Sequence, residues 1–439
     1  MNSPVKCYAG SNEPDLGTSG IRWLWMDCSR LIALMLSVFA LSMSSAQAAP
    51  IFTLQQVLDN AMQQNPAIAI IRAQENAAEA SVTTAKSFAN PEIDAGMGPT
   101  RFRTTNQSDS RNWGVGLSQP LEFSDVRSAR REIAESNVKA VGFNSELTRI
   151  ELRSRVKSIF YEVLQRQAVL KLVEDDRNSL TQIRERVKLR TDVGESPRYE
   201  LIKADTEALA AERDYQSAIV RVTEAKAYLR GLIGNSMPAD YELAGELPLV
   251  DTLPDLVTLR EKIDQSPLLQ QIRAQKETAE ARLRLEESLR NPGLTLKAGI
   301  EQDPDLTSLR FGLAIPLPLW NQRQGQIAEA SANVMQAQAH VSDRELALQR
   351  DVESSYQRYL IAQGQVAAFE NGLLSQAESV LKVAESAYRF GERGILDYLD
   401  AQRTYRSVRK DYLAARYDYI NAMLEIERLL GTELLEVKS

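Results

Sequence analysis

The chain has 439 residues, of which 25% are charged and only 6% are aromatic, and its formal net charge is -7. This composition suits long helices better than a thick aromatic core, and the acidic balance argues against nucleic acid as a partner. The two cysteines, Cys7 and Cys28, both precede an apolar stretch near the N-terminus, so cysteine chemistry is not expected in the exported protein.

Residues 1–48 are predicted to be a signal peptide. Arg30 precedes an apolar stretch at 31–41, and the small residues at 46–48 are typical of a cleavage site. A signal peptide that starts at residue 1 is unusually long, so we expect translation to begin at Met26. The alternative, a membrane anchor at 31–41, is less favoured because a spanning helix needs about 20 apolar residues.

The remainder of the chain carries one pattern twice. Two pairs of motifs mark the copies: Asn90-Pro91 with Asn291-Pro292, and Gly194-Glu195 with Gly391-Glu392. Such self-similarity indicates a tandem repeat of one structural unit. The predicted boundaries are repeat 1 at 49–234, a linker at 235–254, repeat 2 at 255–431 and a C-terminal tail at 432–439.

Each repeat is predicted to contain a long helix followed by a shorter returning helix. No proline interrupts 126–190, and apolar residues recur there at spacings of three and four. The returning helices show a seven-residue apolar period, which predicts coiled-coil packing, with a tyrosine stripe expected in the core. The predicted helices are 126–190 and 196–231 in repeat 1, and 325–390 and 394–430 in repeat 2. The stripe comprises Tyr398, Tyr405, Tyr412 and Tyr419.

A further helix is predicted before the strands of each repeat, at 66–88 and at 267–289. At about 1.5 Å per residue, the returning helices at 196–231 and 394–430 reach only about half as far as the long helices beside them. We therefore expect the preceding helix to stack end to end on a returning helix and complete the second rod.

Between these helices the apolar period changes from helical to two. Predicted strands lie within 90–122 and 291–319, where residues such as Ile93 and Phe311 alternate with polar residues or glycine. Strands of this kind in an exported protein are typical of an outer-membrane barrel, although any half-buried hairpin shows the same alternation. Four strands cannot close a barrel, and lipid does not tolerate open edges, so a spanning sheet requires several chains. Three chains would supply twelve strands and a conducting lumen, whereas the eight strands of a dimer would be filled by side chains.

Several motifs together carry a resemblance to a known family. They are the two Asn-Pro strand starts, Asp192-Val193-Gly194-Glu195, Arg389-Phe390-Gly391-Glu392-Arg393 and the segment 395–401. On these residues, and over 52–431, the chain resembles the TolC-like outer-membrane factors. The segments 119–122 and 316–325 further resemble the CzcC-like branch of that family, which serves heavy-metal efflux pumps.

The resemblance implies a mainly α fold with a small β part. Two tandem coiled-coil hairpins would form an α-barrel tunnel, and four strands would contribute to a twelve-stranded barrel in a homotrimer. It implies an outer-membrane location that extends into the periplasm, contact with outer-membrane lipid, and partnership with a periplasmic adaptor and an inner-membrane RND pump. The implied function is passive conduction of exported solutes, with heavy-metal cations as the expected cargo and drug efflux or type I protein secretion as alternatives.

The resemblance also implies a gate and an acidic entrance near the second hairpin. The gate residues would be Tyr388 and Arg393, facing Tyr199 and Glu200 of the first hairpin, where many relatives have threonine and aspartate. The entrance ring would comprise Asp397 and Asp400, because a ring of one sign selects cations. The alternative for these two carboxylates is a solvated acidic helix start that the helix dipole favours.

The hairpin tips have two open interpretations. Gly194, Glu195, Gly391 and Glu392 match the tips that dock the adaptor in the resembling family. The two glycines are equally well explained as helix caps, since glycine lets the chain reverse between helices.

Catalysis is not expected from this sequence. His340 is the only histidine, and neither a phosphate-binding loop nor a zinc-binding His-Glu-x-x-His motif is found. No enzyme activity, cofactor or metal-ligand set is therefore predicted. An alternative function from a different class of protein is that of a periplasmic coiled-coil scaffold or adaptor. This alternative explains the heptads but leaves the strands without a role.

Overall fold

The computed structural model describes residues 50–100, 110–234, 237–248 and 253–434. Within these ranges, the residues from Ile51 onward form one compact unit. The predicted signal peptide, the predicted start at Met26 and part of the predicted C-terminal tail lie outside the described residues. The described part of the chain is mainly α-helical with a small β part, which confirms the expected fold class.

Long helices dominate the unit. They are α1 (Leu54–Gln64), α2 (Pro66–Lys86), α3 (Ser124–Asp192), α4 (Arg198–Ile233), α5 (Leu256–Glu261), α6 (Pro267–Ser288), α7 (Gln324–Ala368), α8 (Leu374–Arg389) and α9 (Ile395–Leu430). The 69 residues of α3 correspond to about 100 Å at 1.5 Å per residue. The returning helices α4 and α9 have 36 residues each and therefore reach about half as far.

The helices that precede the strands stack end to end on the returning helices in both repeats. At the start of α2, the Asn65 side chain accepts from the Ala67 amide and donates to the Leu232 carbonyl oxygen at 2.7 Å, in the last turn of α4. At the start of α6, the buried Ser266 hydroxyl donates to the Leu429 carbonyl oxygen at 2.9 Å, in the last turn of α9. These equivalent contacts confirm the predicted end-to-end arrangement.

Two clusters of buried apolar side chains hold the helices together. The larger one includes Phe160 of α3 and Ile420 of α9, and the smaller one lies near the hairpin tips. Within the tyrosine stripe, Tyr398 and Tyr419 are buried as predicted, whereas Tyr405 and Tyr412 are only half-buried. Tyr419 also stacks on Tyr359 of α7, with 5.3 Å between the ring centroids.

A four-stranded antiparallel sheet continues from the long helices. Its strands are β2 (Glu92–Thr100), β3 (Ser110–Leu121), β5 (Leu294–Gln302) and β6 (Thr307–Ala314). Two short strands, β1 (Ile51–Phe52) and β4 (Glu242–Leu243), form a separate sheet. The sheet has the order β2-β3-β5-β6, while β1 pairs in parallel with β4. Its register places Val115 opposite Ala95 and Ile300, and Ala298 opposite Phe311. Because the register keeps apolar positions aligned across all four strands, one face of the sheet is apolar.

That apolar face is exposed to solvent in the single chain. Met97 is 88% exposed and Phe311 is 79% exposed. The opposite face carries glycines, together with an ion pair between Arg310 and Glu301 at 2.9 Å. Among the described residues, β2 and β6 have no partner strand on their outer sides. The predicted alternation between an apolar and a polar face is confirmed.

Two predicted elements differ from the structure. The helix expected at 325–390 is not continuous, because a π-helical segment at Phe369–Leu373 with non-helical backbone at Gly372 separates α7 from α8. Contacts from α9 stabilise this segment, since the Tyr412 hydroxyl donates to the Glu370 carboxylate at 2.9 Å. The strands expected within 291–319 end at Ala314, because Pro316 and Pro318 have no N–H for a strand ladder.

The predicted linker at 235–254 is described at residues 237–248 and at 253–254. It contains β4, and the fully buried Tyr241 donates its hydroxyl to the Lys226 carbonyl oxygen of α4 at 2.7 Å. The ring of Tyr241 also contacts that of Phe52 in β1 edge to face, with 6.2 Å between the centroids. Long-range contacts with β1 and α4 therefore hold the described part of the predicted linker in place.

Candidate functional site

Both helical hairpins turn at a glycine with left-handed backbone. Gly194 follows α3 with a φ of 82°, and Gly391 follows α8 with a φ of 75°. The amide of Glu195 donates to the Arg190 carbonyl oxygen at 2.8 Å, and the amide of Glu392 donates to the Ala387 carbonyl oxygen at 2.9 Å. The Gly194 amide also donates to the Thr191 carbonyl oxygen at 3.0 Å, and the Gly391 amide to the Tyr388 carbonyl oxygen at 3.2 Å, which completes a Schellman motif at each tip. The cap interpretation therefore accounts for the two glycines.

The smaller apolar cluster joins the two hairpins just behind their tips. Its members are Leu180, Ile183, Val187, Ala204, Ala211, Tyr388, Ile395, Tyr398 and Leu399. Tyr388 stacks on Tyr398 with 5.8 Å between ring centroids and an interplanar angle of 20°. The Tyr388 hydroxyl is buried and has no hydrogen-bond partner among the described residues.

The four predicted gate residues lie at the hairpin tips, but within the described chain Tyr388 and Arg393 form no hydrogen bond or ion pair with Tyr199 or Glu200. Tyr388 is buried, whereas Tyr199 and Arg393 are exposed. The Glu200 carboxylate lies 3.9 Å from the position that a Cβ would take at Gly394, beside Arg393. In the described part of the chain, no hydrogen bond or ion pair joins Tyr388 or Arg393 to the first-hairpin residues.

Arg190 supplies a contact between the hairpins that the sequence did not indicate. Its guanidinium lies over the Tyr388 ring, with 5.4 Å from the guanidinium carbon to the ring centroid. Arg190 also forms an ion pair with Glu195 at 3.8 Å. The sequence showed only a basic residue in the last turn of α3. Such a residue usually interacts with the last carbonyl groups and the dipole of its own helix, so a contact with the second hairpin was not indicated.

Asp397 and Asp400 lie exposed on the first turns of α9, while Ile395, Tyr398 and Leu399 on the same helix are buried. The Asp397 carboxylate pairs with the Arg393 guanidinium at 3.6 Å. This contact joins one predicted gate residue to one predicted ring residue. Each chain therefore presents two solvent-facing carboxylates next to a hairpin tip, one of them partly neutralised.

A cleft of about 710 Å³ lies further from the tips, between α3, α4 and α9. Its basic lining residues are Arg166, Arg213, Arg221, Arg403, Arg406 and Lys410. Asp176 also lines the cleft and is only 4% exposed, and burial raises the pKa of its carboxyl to about 6. The side chain of Glu207 nearby accepts from both Arg403 and Arg406. Sequence reasoning did not identify this cleft because its residues come from three helices.

Residues 50–100, 110–234, 237–248 and 253–434 contain no group of three or more histidine, cysteine, aspartate or glutamate side chains placed to hold a metal ion. In the same part of the chain, no helix combines the length and the apolar character needed to cross a membrane.

Comparison with known proteins identifies the family. The family model described as outer membrane efflux protein matches residues 57–235 and 258–432. The cobalt-zinc-cadmium resistance protein CzcC of Cupriavidus metallidurans is 26% identical over 387 residues, which are 88% of this chain and 91% of CzcC. The outer membrane protein TolC of Vibrio cholerae is 25% identical over 438 residues, covering 92% of this chain and 95% of TolC.

Solved structures show the same fold. That of CusC superposes with a TM-score of 0.74 at 18% identity, covering 89% of this chain and 96% of CusC. That of VceC from Vibrio cholerae superposes with a TM-score of 0.73 at 18% identity, covering 87% of this chain and 97% of VceC. The chain therefore belongs to the outer membrane efflux protein family, and its predicted location in the outer membrane, extending into the periplasm, is confirmed.

Proposed function

We propose that this protein forms a homotrimeric outer-membrane channel that conducts exported solutes passively from a tripartite efflux assembly to the exterior. The observation that carries the proposal is the sheet, whose apolar face is exposed and whose outer strands β2 and β6 lack partners among the described residues. A face of this kind suits lipid, whereas open edges do not occur in lipid. Further copies of the same chain would satisfy both requirements.

Three copies fit a conducting channel better than two. Each chain contributes four strands, so three chains give twelve strands and two give eight. Eight strands leave an interior filled by side chains, whereas more strands leave a lumen. The polar and glycine-rich face of the sheet, with Arg310 and Glu301, would line that lumen. The long helices would continue it as a periplasmic tunnel.

The hairpin tips would form the closed end of the tunnel and the contact with partners. Tyr199 and Arg393 are exposed and lack a partner from the opposite hairpin within the described chain, so they remain available to a neighbouring copy. Tyr388 and Glu200 would complete this gate. We further propose that an adaptor docks on the tips at Gly194, Glu195, Gly391 and Glu392, and that an inner-membrane RND pump supplies the energy.

Heavy-metal cations are the proposed cargo. Support comes from the similarity to CzcC, which is named as a cobalt-zinc-cadmium resistance protein. Asp397 and Asp400 of three chains would place six carboxylates around the entrance, and charge of one sign concentrates cations there. The cargo would pass without a dedicated coordination site.

Extraction and conductance together test this proposal. The channel requires detergent for release from membranes, migrates as a trimer on an unheated gel, and produces discrete conductance steps in planar lipid bilayers. The rival scaffold would leave the membrane fraction with salt and give no conductance. Release of a water-soluble monomer by salt would overturn the channel proposal.

A further inference from the structure

The apolar row of β6 continues beyond the end of the strand. β6 ends at Ala314, but every second residue remains apolar and exposed up to residue 319. The exposed members of the row are Leu309, Phe311, Leu313, Ile315, Leu317 and Leu319. Trp320 follows directly and is 92% exposed. An apolar surface that begins on the sheet therefore extends into irregular chain.

Repeat 1 differs at the equivalent place. Gln119 occupies the position that corresponds to Ile315, and its side-chain amide donates to the Ala89 carbonyl oxygen at 2.9 Å. The strand β3 continues past this point to Leu121, where it is still paired with Leu294 of β5. Leu121 and Phe123 follow on the same row and are 40% and 46% exposed, so repeat 1 carries a shorter apolar row that Gln119 interrupts.

The backbone of the extension suits an environment with little water. Pro316 and Pro318 have no N–H, so the chain can leave the ladder without exposing two unpaired donors. The Leu319 amide donates to the Leu317 carbonyl oxygen at 2.9 Å. Few donors then remain to be satisfied, which matters because an unsatisfied N–H in an apolar medium costs several kcal/mol.

The length of β6 leaves room for such an extension. β6 has 8 residues, whereas a strand that spans a bilayer needs about 9–11 residues at a tilt of about 45°. The strand alone is thus slightly short for the apolar thickness. Residues 315–319 continue from the end of the sheet that joins the helices, which is the periplasmic end.

We infer that residues 315–320 lie at the periplasmic boundary of the bilayer, with the leucine side chains against the acyl ends of the phospholipids and the Trp320 indole at headgroup level. This inference rests on the proposed function, because it requires that the sheet spans the membrane. Tryptophan is suited to this depth, since its ring is apolar and its indole N–H can donate to polar groups. The surface is continuous with the lipid-facing side of the sheet, which favours lipid over a second copy as its occupant.

Fluorescence quenching by brominated lipids tests this depth. Trp23 and Trp25 lie in the predicted signal peptide, so Trp113→Phe leaves Trp320 as the only tryptophan expected in the exported protein. The trimer is reconstituted in phosphatidylcholine vesicles that carry bromine either near the headgroup end or near the middle of the acyl chain. Trp320 emission should fall in both lipids relative to unbrominated vesicles, with the greater loss for the shallow bromine.

Two matched variants separate the possible outcomes. A variant that keeps only Trp113, on the apolar face of β3, reports whether the sheet itself contacts lipid. A variant with Trp113→Phe, Trp320→Phe and Phe390→Trp carries its tryptophan at an exposed position next to a hairpin tip and should not be quenched. Quenching of Trp113 without quenching of Trp320 would overturn this inference and leave the channel proposal intact, with a second copy as the occupant. Absence of quenching at both positions would overturn both proposals.

Discussion

Arg393 connects the two functional roles predicted at the hairpin tip. Its guanidinium pairs with Asp397 within one chain, although both side chains are largely exposed. An exposed pair of this kind contributes at most about 1 kcal/mol, so it cannot hold a tunnel closed by itself. Its value for gating would come from contacts made by three copies around one opening.

Replacing Arg393 should open the resting channel. In Arg393→Ala the cationic partner at the tip is lost, so we expect a higher resting conductance in planar bilayers. Lys382→Ala is the matched control, because Lys382 forms a similarly exposed ion pair with Glu378 on α8 at 2.6 Å. A channel as closed as the parent would contradict the assignment of Arg393 to the gate.

The two carboxylates at the start of α9 should control ion preference. Asp397→Ala combined with Asp400→Ala removes two negative charges per chain, so we expect weaker cation selectivity and weaker block by multivalent cations. Reversal potentials and block in planar bilayers measure both effects. Asp343→Ala, at an exposed position on α7, is the control. Unchanged block in the double variant would support the alternative of a solvated helix start.

Asp176 should make stability depend on pH. Burial raises the pKa of its carboxyl from 3.8 to about 6, against the opposing influence of Arg406 and Arg409. The folded state therefore favours the protonated form, so the contribution of Asp176 to stability is fully present below pH 3.8 and is lost as the pH rises through about 6. Asp176→Asn should flatten this dependence in thermal unfolding of the detergent-solubilised protein. An unaltered pH profile would exclude Asp176 as its source.

At the scale of elements, one buried ion pair couples the longest helix to the last one. The Lys157 ammonium of α3 lies 3.0 Å from the Glu427 carboxylate of α9, and the two side chains are only 6% and 7% exposed. Glu427 also accepts from the Leu434 amide, which ties the end of the described chain to the same point. Burial removes water from both charges, so each depends strongly on the other.

Removing one partner of this pair should be costly. Lys157→Met leaves the Glu427 charge uncompensated in the core, and we expect a loss of about 3–5 kcal/mol, seen as a lower unfolding temperature. Adding Glu427→Leu should restore much of that loss. Arg260→Met is the control, because the exposed pair of Arg260 with Glu353 should contribute at most about 1 kcal/mol. Equal effects of the two single variants would contradict this interpretation.

At the scale of the whole molecule, the class of exported solute determines which toxic compounds harm cells that lack the channel. Cells that lack the gene should become more sensitive to divalent heavy metals, and the intact gene should restore their tolerance. Inhibitory concentrations for a panel of metals and drugs measure this effect. Sensitivity to drugs with unchanged metal tolerance would favour the alternative cargo and contradict the metal proposal.

Some structural features of the hairpin tips could be predicted from the sequence and others could not. Exposure of Asp397 and Asp400 follows from the heptad pattern, because their neighbours Tyr398 and Leu399 are buried. The left-handed turn at Gly391 follows from the chemistry of glycine. The position of Arg190 over Tyr388 could not be predicted, because it depends on how two hairpins nearly 200 residues apart in sequence pack together.

The sequence by itself determined the long helices, the four strands of the larger sheet, their apolar faces and the duplication, because these depend on local periodicity and on a repeated pattern. Tertiary structure alone decided the π-helical segment at Phe369–Leu373, where Tyr412 of α9 contacts Glu370. It also decided the pairing of β1 with β4 and the formation of the arginine-rich cleft. These features depend on contacts between residues far apart in the chain, and such contacts leave no period in the sequence.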